Sequence, residues 1–245
     1  MLIYLKPKTR QKMLLVTAFF LVLLGARMGA VVQRGPDRGV TAKIAPLTQV
    51  NTSEPQIGVI VDVSDATPEE VRKCLSTLES LAVKATWFFS GTFVEAQSDV
   101  VKEILDKGHE FGLKGTDEKP MDRLEATDIK DRIMRSRKAF EKANIEPAPF
   151  LYPPQGRFSE KLLSVAFEEG YQGLKPGVDG KVMKGKEEDA GKRLADSMRP
   201  GDIFIIRVSR KGMVPEKRYL ESLSKHLKDH GLSMVGMSTL VKGVK

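Results

Sequence analysis

The chain has 245 residues, 41% of them apolar and 29% charged, enough apolar sequence for one large α/β domain or two small ones. A single cysteine, Cys74, excludes a disulfide framework and a cysteine-built zinc site. Of the net charge of +8, residues 1–32 hold five cations and no acid, which leaves +3 for the remainder, so a nucleic-acid partner is not expected.

The first twelve residues carry Lys6, Lys8, Arg10 and Lys12, and an apolar run, "MLLVTAFFLVLLGA", follows over 13–26. Extended through Val32, the run holds 20 residues with one charge, Arg27, just enough to cross a bilayer. A basic region followed by an apolar one reads as a signal or membrane anchor over 1–32. The absence of a clean A-x-A site favours an uncleaved anchor. The flanking cations place the N-terminus in the cytoplasm and the rest outside, as a single-pass protein of the cell membrane. Secretion after cleavage is the alternative. Residues 33–55 mix Gly, Pro, Thr, Gln and Asn without periodicity and read as a linker. The domain then runs over 56–245.

From residue 57 on, apolar strands alternate with amphipathic helices. Strands are expected at 57–63, 85–89, 109–113, 148–152, 171–175, 202–208 and 232–237. Helices are expected at 67–83, 99–108, 126–143, 159–170, 187–198 and 216–231, with a short turn closing the chain. The first helix shows its start plainly, with Thr67 as N-cap, Pro68 next and acids in the first turn. Cys74 falls on this helix as an inert core thiol. Trp87 in "ATWFF" reads as core rather than as a sugar platform. Strands that each lead into a helix predict a parallel sheet, with α/β architecture as a distorted seven-stranded (β/α) barrel. A site on such a scaffold belongs at the C-terminal strand ends. Those ends hold Asp62–Asp65, Ser90–Gly91, Lys114–Glu118, Tyr152–Gly156, Lys175–Asp179, Arg207–Ser209 and Met237–Ser238.

Six segments, "VKATWFFSGTFVE", "ILDKGHEFG", "YPPQG", "EEGYQG", "RPGDIFII" and "LKDHGLSMVGMSTL", resemble the polysaccharide deacetylases in order and spacing, over about residues 57–242. That family removes acetyl groups from chitin, peptidoglycan or xylan with a divalent metal, and the resemblance implies its barrel. It also implies a cell-wall polysaccharide as partner. The positions that carry the family's chemistry depart from its pattern. Asp62 matches the general base. Val63 stands at a metal-ligand aspartate, with Asp65 as a substitute two residues on. Lys114 and Glu118 stand at the paired histidines, Tyr152 at the arginine that braces the base, and Arg207 at the histidine acid.

Metal ligands are lone-pair donors such as imidazole and carboxylate. A lysine ammonium has no lone pair and repels the ion. The chain's three histidines, His109, His226 and His230, lie at a strand start and on the last long helix, and cannot rebuild the pair. No metal or other cofactor is therefore expected. Lys114 and Arg207 are expected to point at Asp62 and Glu118, a salt-bridge cluster in place of the metal. Blander alternatives stand beside this: Asp62 as a turn cap, Lys114–Glu118 as an exposed pair, and Tyr152 as packing on Pro153 or Pro154. Functionally, the residues fit an inactive deacetylase-like protein that binds cell-wall glycan or acts as a scaffold. An active deacetylase with an all-oxygen site of Asp62, Asp65 and Glu118 is the alternative, as is a regulatory protein that leaves its groove unused.

Overall fold

A computed structural model describes residues 44–179, 187–210 and 217–244. The expected anchor over 1–32 lies outside the described residues. The strands among them are β1 (Gln56–Val63), β2 (Thr86–Phe89), β3 (Glu110–Leu113), β4 (Phe150–Leu151), β5 (Gln172–Gly173), β6 (Val178–Asp179), β7 (Ile203–Val208) and β8 (Ser233–Val235). The helices are α1 (Pro68–Ser80), α2 (Gly91–Ala96), α3 (Ser98–Asp106), α4 (Ala126–Lys142), α5 (Glu160–Glu168), α6 (Glu187–Ser197), α7 (Lys217–Asp229) and α8 (Met237–Lys242).

Every strand pairing is parallel, in the order β5-β4-β3-β2-β1-β7-β6, with β8 beside the start of β1. The curled sheet with helices outside it is the distorted (β/α) barrel that the alternation predicts. All seven expected strands are present. The short β6 is an addition, too brief to show in the sequence pattern. The closing turn is a helix, α8, and α2 is a further helix. Ser90 caps α2, its hydroxyl accepting from the Phe93 amide. At α1 the signals in the sequence are all realised. The Thr67 hydroxyl accepts from the Glu70 amide and the Glu70 carboxylate accepts from the Thr67 amide, a reciprocal cap.

Successive residues of a strand face opposite sides of a sheet, and here that alternation builds two cores. Val59, Val61, Trp87, Phe89, Phe111, Leu151, Phe204 and Ile206 pack beneath the helices. Ile60, Phe88, Phe150, Ile203 and Ile205 fill the barrel interior. Trp87 is thus core and not a sugar platform, and Cys74 is buried in the same layer, its thiol pushed up to about 12 by burial.

The linker reading fails for its second half. Leu47 N donates to Gly173 O at 2.7 Å and Val50 N donates to Gly201 O at 2.8 Å. The segment therefore stitches β5 to the start of β7, and Val50 joins the interior core. Leu47 and Val50, three residues apart among mostly polar neighbours, are too sparse a pattern to read as packing. Two backbone pairings hold it instead. The packed region begins near Ile44 rather than at residue 56.

Candidate functional site

The interior alternation decides what stands at the strand ends. Inward positions along β1 run Ile60, Asp62; along β7 they run Ile203, Ile205, Arg207. Gly112 and Lys114 take the same side at β3, and Phe150 and Tyr152 at β4. An apolar floor of Ile60, Phe88, Phe150 and Ile205 is thus covered by a polar layer of Asp62, Lys114, Tyr152 and Arg207. Asp62 lies opposite Arg207 in the register of β1 and β7, and opposite Phe88 in that of β1 and β2.

Lys114 is the centre of this layer. It follows β3, two strands from β1, a distance of about 10 Å at ordinary strand spacing. Its chain crosses in front of β2 to reach β1. Lys114 Nζ lies 2.7 Å from Asp62 Oδ1 and 2.7 Å from Glu118 Oε2. It also donates to Val63 O at 2.7 Å and to Ser64 Oγ at 2.5 Å. The Ser64 hydroxyl passes its own hydrogen to Asp62 Oδ1 at 3.4 Å. An ammonium has three hydrogens, so four oxygens at these distances share them. Lys114 is 0% exposed and Asp62 is 4% exposed. This is no exposed pair, and Asp62 is no mere turn cap. A cation buried to this degree persists only because oxygens surround it. Val63, which brings no side-chain ligand, still supplies its carbonyl oxygen.

Arg207 does not join that cluster, contrary to expectation. Its Nη1 pairs with Asp179 Oδ2 at 2.5 Å. The pairing was invisible in sequence because β6 was: Val178–Asp179 adds onto β7 in parallel and sets Asp179 inward beside it. Burial opposes the charge on Arg207, but the Tyr152 phenol and Asp179 outweigh it and hold the guanidinium above its ordinary value. Tyr152 sits between the two groups. Burial first, and then the Asp62 charge, push its phenol up, opposed by Arg207. Tyr152 is 3% exposed. It packs its ring on Phe88, with centroids 5.8 Å apart, rather than presenting a face to solvent. Gly156 makes room for it: at φ 63°, a Cβ there would stand 2.6 Å from Tyr152 Oη.

Asp65 is not a substitute ligand. It is exposed, in a left-handed turn at φ 48°, with Arg210 Nε at 3.9 Å. Nor does the last strand end reach the site. Met237 N donates to Thr86 Oγ1 and Ser238 N to Glu110 Oε1, at the starts of β2 and β3. The reason is that β8 pairs only with Gln56–Gly58, the first residues of β1. Among the described residues no group of three or more His, Cys, Asp or Glu could hold a metal ion. The histidines stand apart from the site. His109 Nδ1 accepts from Ala85 N at 3.1 Å at the base of the sheet, and His230 faces Asp196 at 3.4 Å.

Residues 49–174 match the family model described as Polysaccharide deacetylase. The peptidoglycan-N-acetylglucosamine deacetylase of Bacillus cereus is 26% identical over 192 residues, covering 71% of this chain and 83% of that protein. An uncharacterised 30.6 kDa protein of Geobacillus stearothermophilus is 28% identical over 174 residues, 69% of this chain and 64% of its own length. YlxY of Bacillus subtilis is 26% identical over 125 residues, only 39% of its own length. The chain thus spans less than two thirds of these last two relatives. Among solved structures, BA3943 of Bacillus anthracis, a CE4 family pseudoenzyme, superposes with a TM-score of 0.72 at 22% identity, covering 82% of this chain and 70% of that one.

Proposed function

The chain belongs to the polysaccharide deacetylase family, and from that premise we propose that it is a catalytically inactive member acting at the cell wall by binding, as a glycan-binding or scaffold protein. The observation that carries this reading is Lys114 Nζ, 2.7 Å from both Asp62 Oδ1 and Glu118 Oε2. The residue at the base position and the residue at a ligand position both spend their charge on an internal cation. A divalent ion would have to expel that cation from a site with no imidazole. Without the ion no water is activated, and Arg207, always protonated, offers no proton to a leaving amine. An inactive protein on this fold has a counterpart in BA3943, a pseudoenzyme of which a mutant has restored enzymatic activity.

Between the two binding roles, the burial of Trp87 and Tyr152 favours a scaffold. Sugar rings stack on exposed aromatic faces, and neither residue presents one. Four cations followed by the apolar run of residues 13–26 support an anchored, exported placement, in which the domain meets peptidoglycan or its partners outside the membrane.

The test is calorimetric titration of the purified protein with Zn, Mn and Mg ions, beside release of acetate from N-acetylated chito-oligosaccharide and peptidoglycan. No metal binding and no acetate are expected. Metal binding that disappears in Asp62→Ala or Glu118→Ala, with acetate released, would overturn the reading.

A further inference from the structure

The contact between Lys114 and Asp62 brings together an amine and a carboxyl group, the two halves of an amide. Nζ lies 2.7 Å from Asp62 Oδ1, so the carboxyl carbon is one bond beyond the contact. Asp62 stands within β1, which is paired on both sides, opposite Phe88 of β2 and Arg207 of β7, so its carboxyl is carried on a fixed frame. The lysine is just as confined: it is 0% exposed, and its nitrogen also donates to Val63 O and Ser64 Oγ. Groups held against each other in this way can reach effective concentrations of about 10⁵–10⁸ M.

In water, lysine and aspartate do not condense, because both are ionised and the solvent favours the separate groups. Burial works against both obstacles. The side chains of Lys114 and Asp62 are 0% and 6% exposed, above the floor of Ile60, Phe88, Phe150 and Ile205. Moving one proton from Nζ to the Asp62 carboxylate neutralises both groups. That relieves the cost of two buried charges and leaves an amine with a lone pair beside a carboxylic acid. Glu118 is the independent observation. Its Oε2 lies 2.7 Å from the same nitrogen, although one carboxylate already balances the lysine. Glu118 reaches Nζ from the loop after β3, and its side chain is 37% exposed, so it can exchange protons both with the cluster and with solvent.

We infer that Lys114 and Asp62 condense into an intramolecular amide, an isopeptide bond between the end of β3 and β1, with Glu118 as the proton carrier. The Nζ lone pair attacks Asp62 Cγ, and the N–C bond forms. Glu118 takes a proton from Nζ and passes it to the Oδ2 hydroxyl, which breaks from Cγ and leaves as water. The Ser64 hydroxyl, 3.4 Å from Oδ1, steadies the oxygen that carries the negative charge in between. One amine and one carboxylic acid give one amide and one water, so no further reactant enters. The ion pair is the reactant of this step. The amide that follows keeps Asp62 from ever serving as a base and braces β1 to β3 across β2, which suits a scaffold. The inference rests on the reading of this centre as inactive, and deepens it.

The experiment is mass spectrometry of the purified full chain, unfolded before measurement so that no ion pair survives. The chain is expected to be lighter than its sequence by the mass of one water. Trypsin does not cut after an acylated lysine, so the digest is expected to contain residues 44–72 joined to residues 108–123. Glu118→Gln, a change at a partly exposed side chain, is expected to fold, as circular dichroism will show, and to lack the joined species. Loss of a proton carrier slows such a step about a hundredfold or more. A parent chain of full sequence mass, or a lost water that maps to another segment, would overturn the inference. A joined species equally abundant in Glu118→Gln would overturn the role of Glu118. Acetate release decides the reading of the centre separately: a chain with neither cross-link nor acetate release keeps that reading and loses this one.

Discussion

Replacing Lys114 by methionine keeps the volume of the side chain and deletes its charge. The consequence follows from what Lys114 touches. Asp62, with a side chain 6% exposed, loses its cationic partner and retains only the Ser64 hydroxyl at 3.4 Å. The Val63 carbonyl loses a donor as well. Glu118, with a side chain 37% exposed, can turn to water at little cost. The loss is therefore concentrated on one buried carboxylate. Removing one partner of a buried pair costs about 3–5 kcal/mol. For a chain of this size that lowers the melting temperature by roughly 6–20 °C. Lys114→Met/Asp62→Asn removes both charges, so it should cost less than the sum of the two single changes by about 2 kcal/mol. Asp179→Asn is the contrast, because the Arg207–Asp179 pair is partly exposed and its loss should cost below about 1 kcal/mol. Urea unfolding followed by circular dichroism measures all four proteins. Additive single and double changes, or a Lys114→Met cost no larger than that of Asp179→Asn, would refute the claim that the ammonium stands in for a metal as the electrostatic keystone.

Two further outcomes are expected. Burial, and then the nearby Lys84 charge, hold His109 at about 4, below its ordinary value of 6.5, while its Nδ1 accepts the Ala85 amide. Between those values the unfolded chain binds a proton that the folded chain refuses. The contribution is thus complete above about pH 6.5 and is lost as pH falls towards 4. The loss amounts to about 2 kcal/mol by pH 5, and urea midpoints at pH 7 and 5 should show it in the parent but not in His109→Gln. Gly201→Ala tests the N-terminal stitch: Gly201 has φ 88°, and an added Cβ would collide with the Val50 carbonyl. A cost of roughly 1–3 kcal/mol is expected, with faster amide exchange at Leu47 and Val50; unchanged exchange there would show that the stitch is not held by Gly201.

The sequence alone determined the scaffold, because strand and helix periods, caps and breakers are local. The reciprocal cap at Thr67 and Glu70, the strand over 57–63 and the helix over 126–143 needed no distant partner to be legible. The set Asp62, Lys114, Tyr152 and Arg207 falls within the expected strand ends, but it was the resemblance to the polysaccharide deacetylases that singled it out; strand alternation in the folded sheet then turns all four inward. The strand β6 was not legible, although β4 and β5 are equally short. The two-residue β6 carries too little pattern to be seen, and with it went the partner of Arg207. The segment 47–50 is held by backbone bonds to Gly173 and Gly201, which no side-chain pattern records. The tertiary structure decided which carboxylate each cation would take. Sequence distance says nothing about that choice. Lys114 reaches Asp62 because the curl of the sheet brings the two strand ends within one side-chain length, whereas Arg207 meets Asp179 first, on the strand beside it.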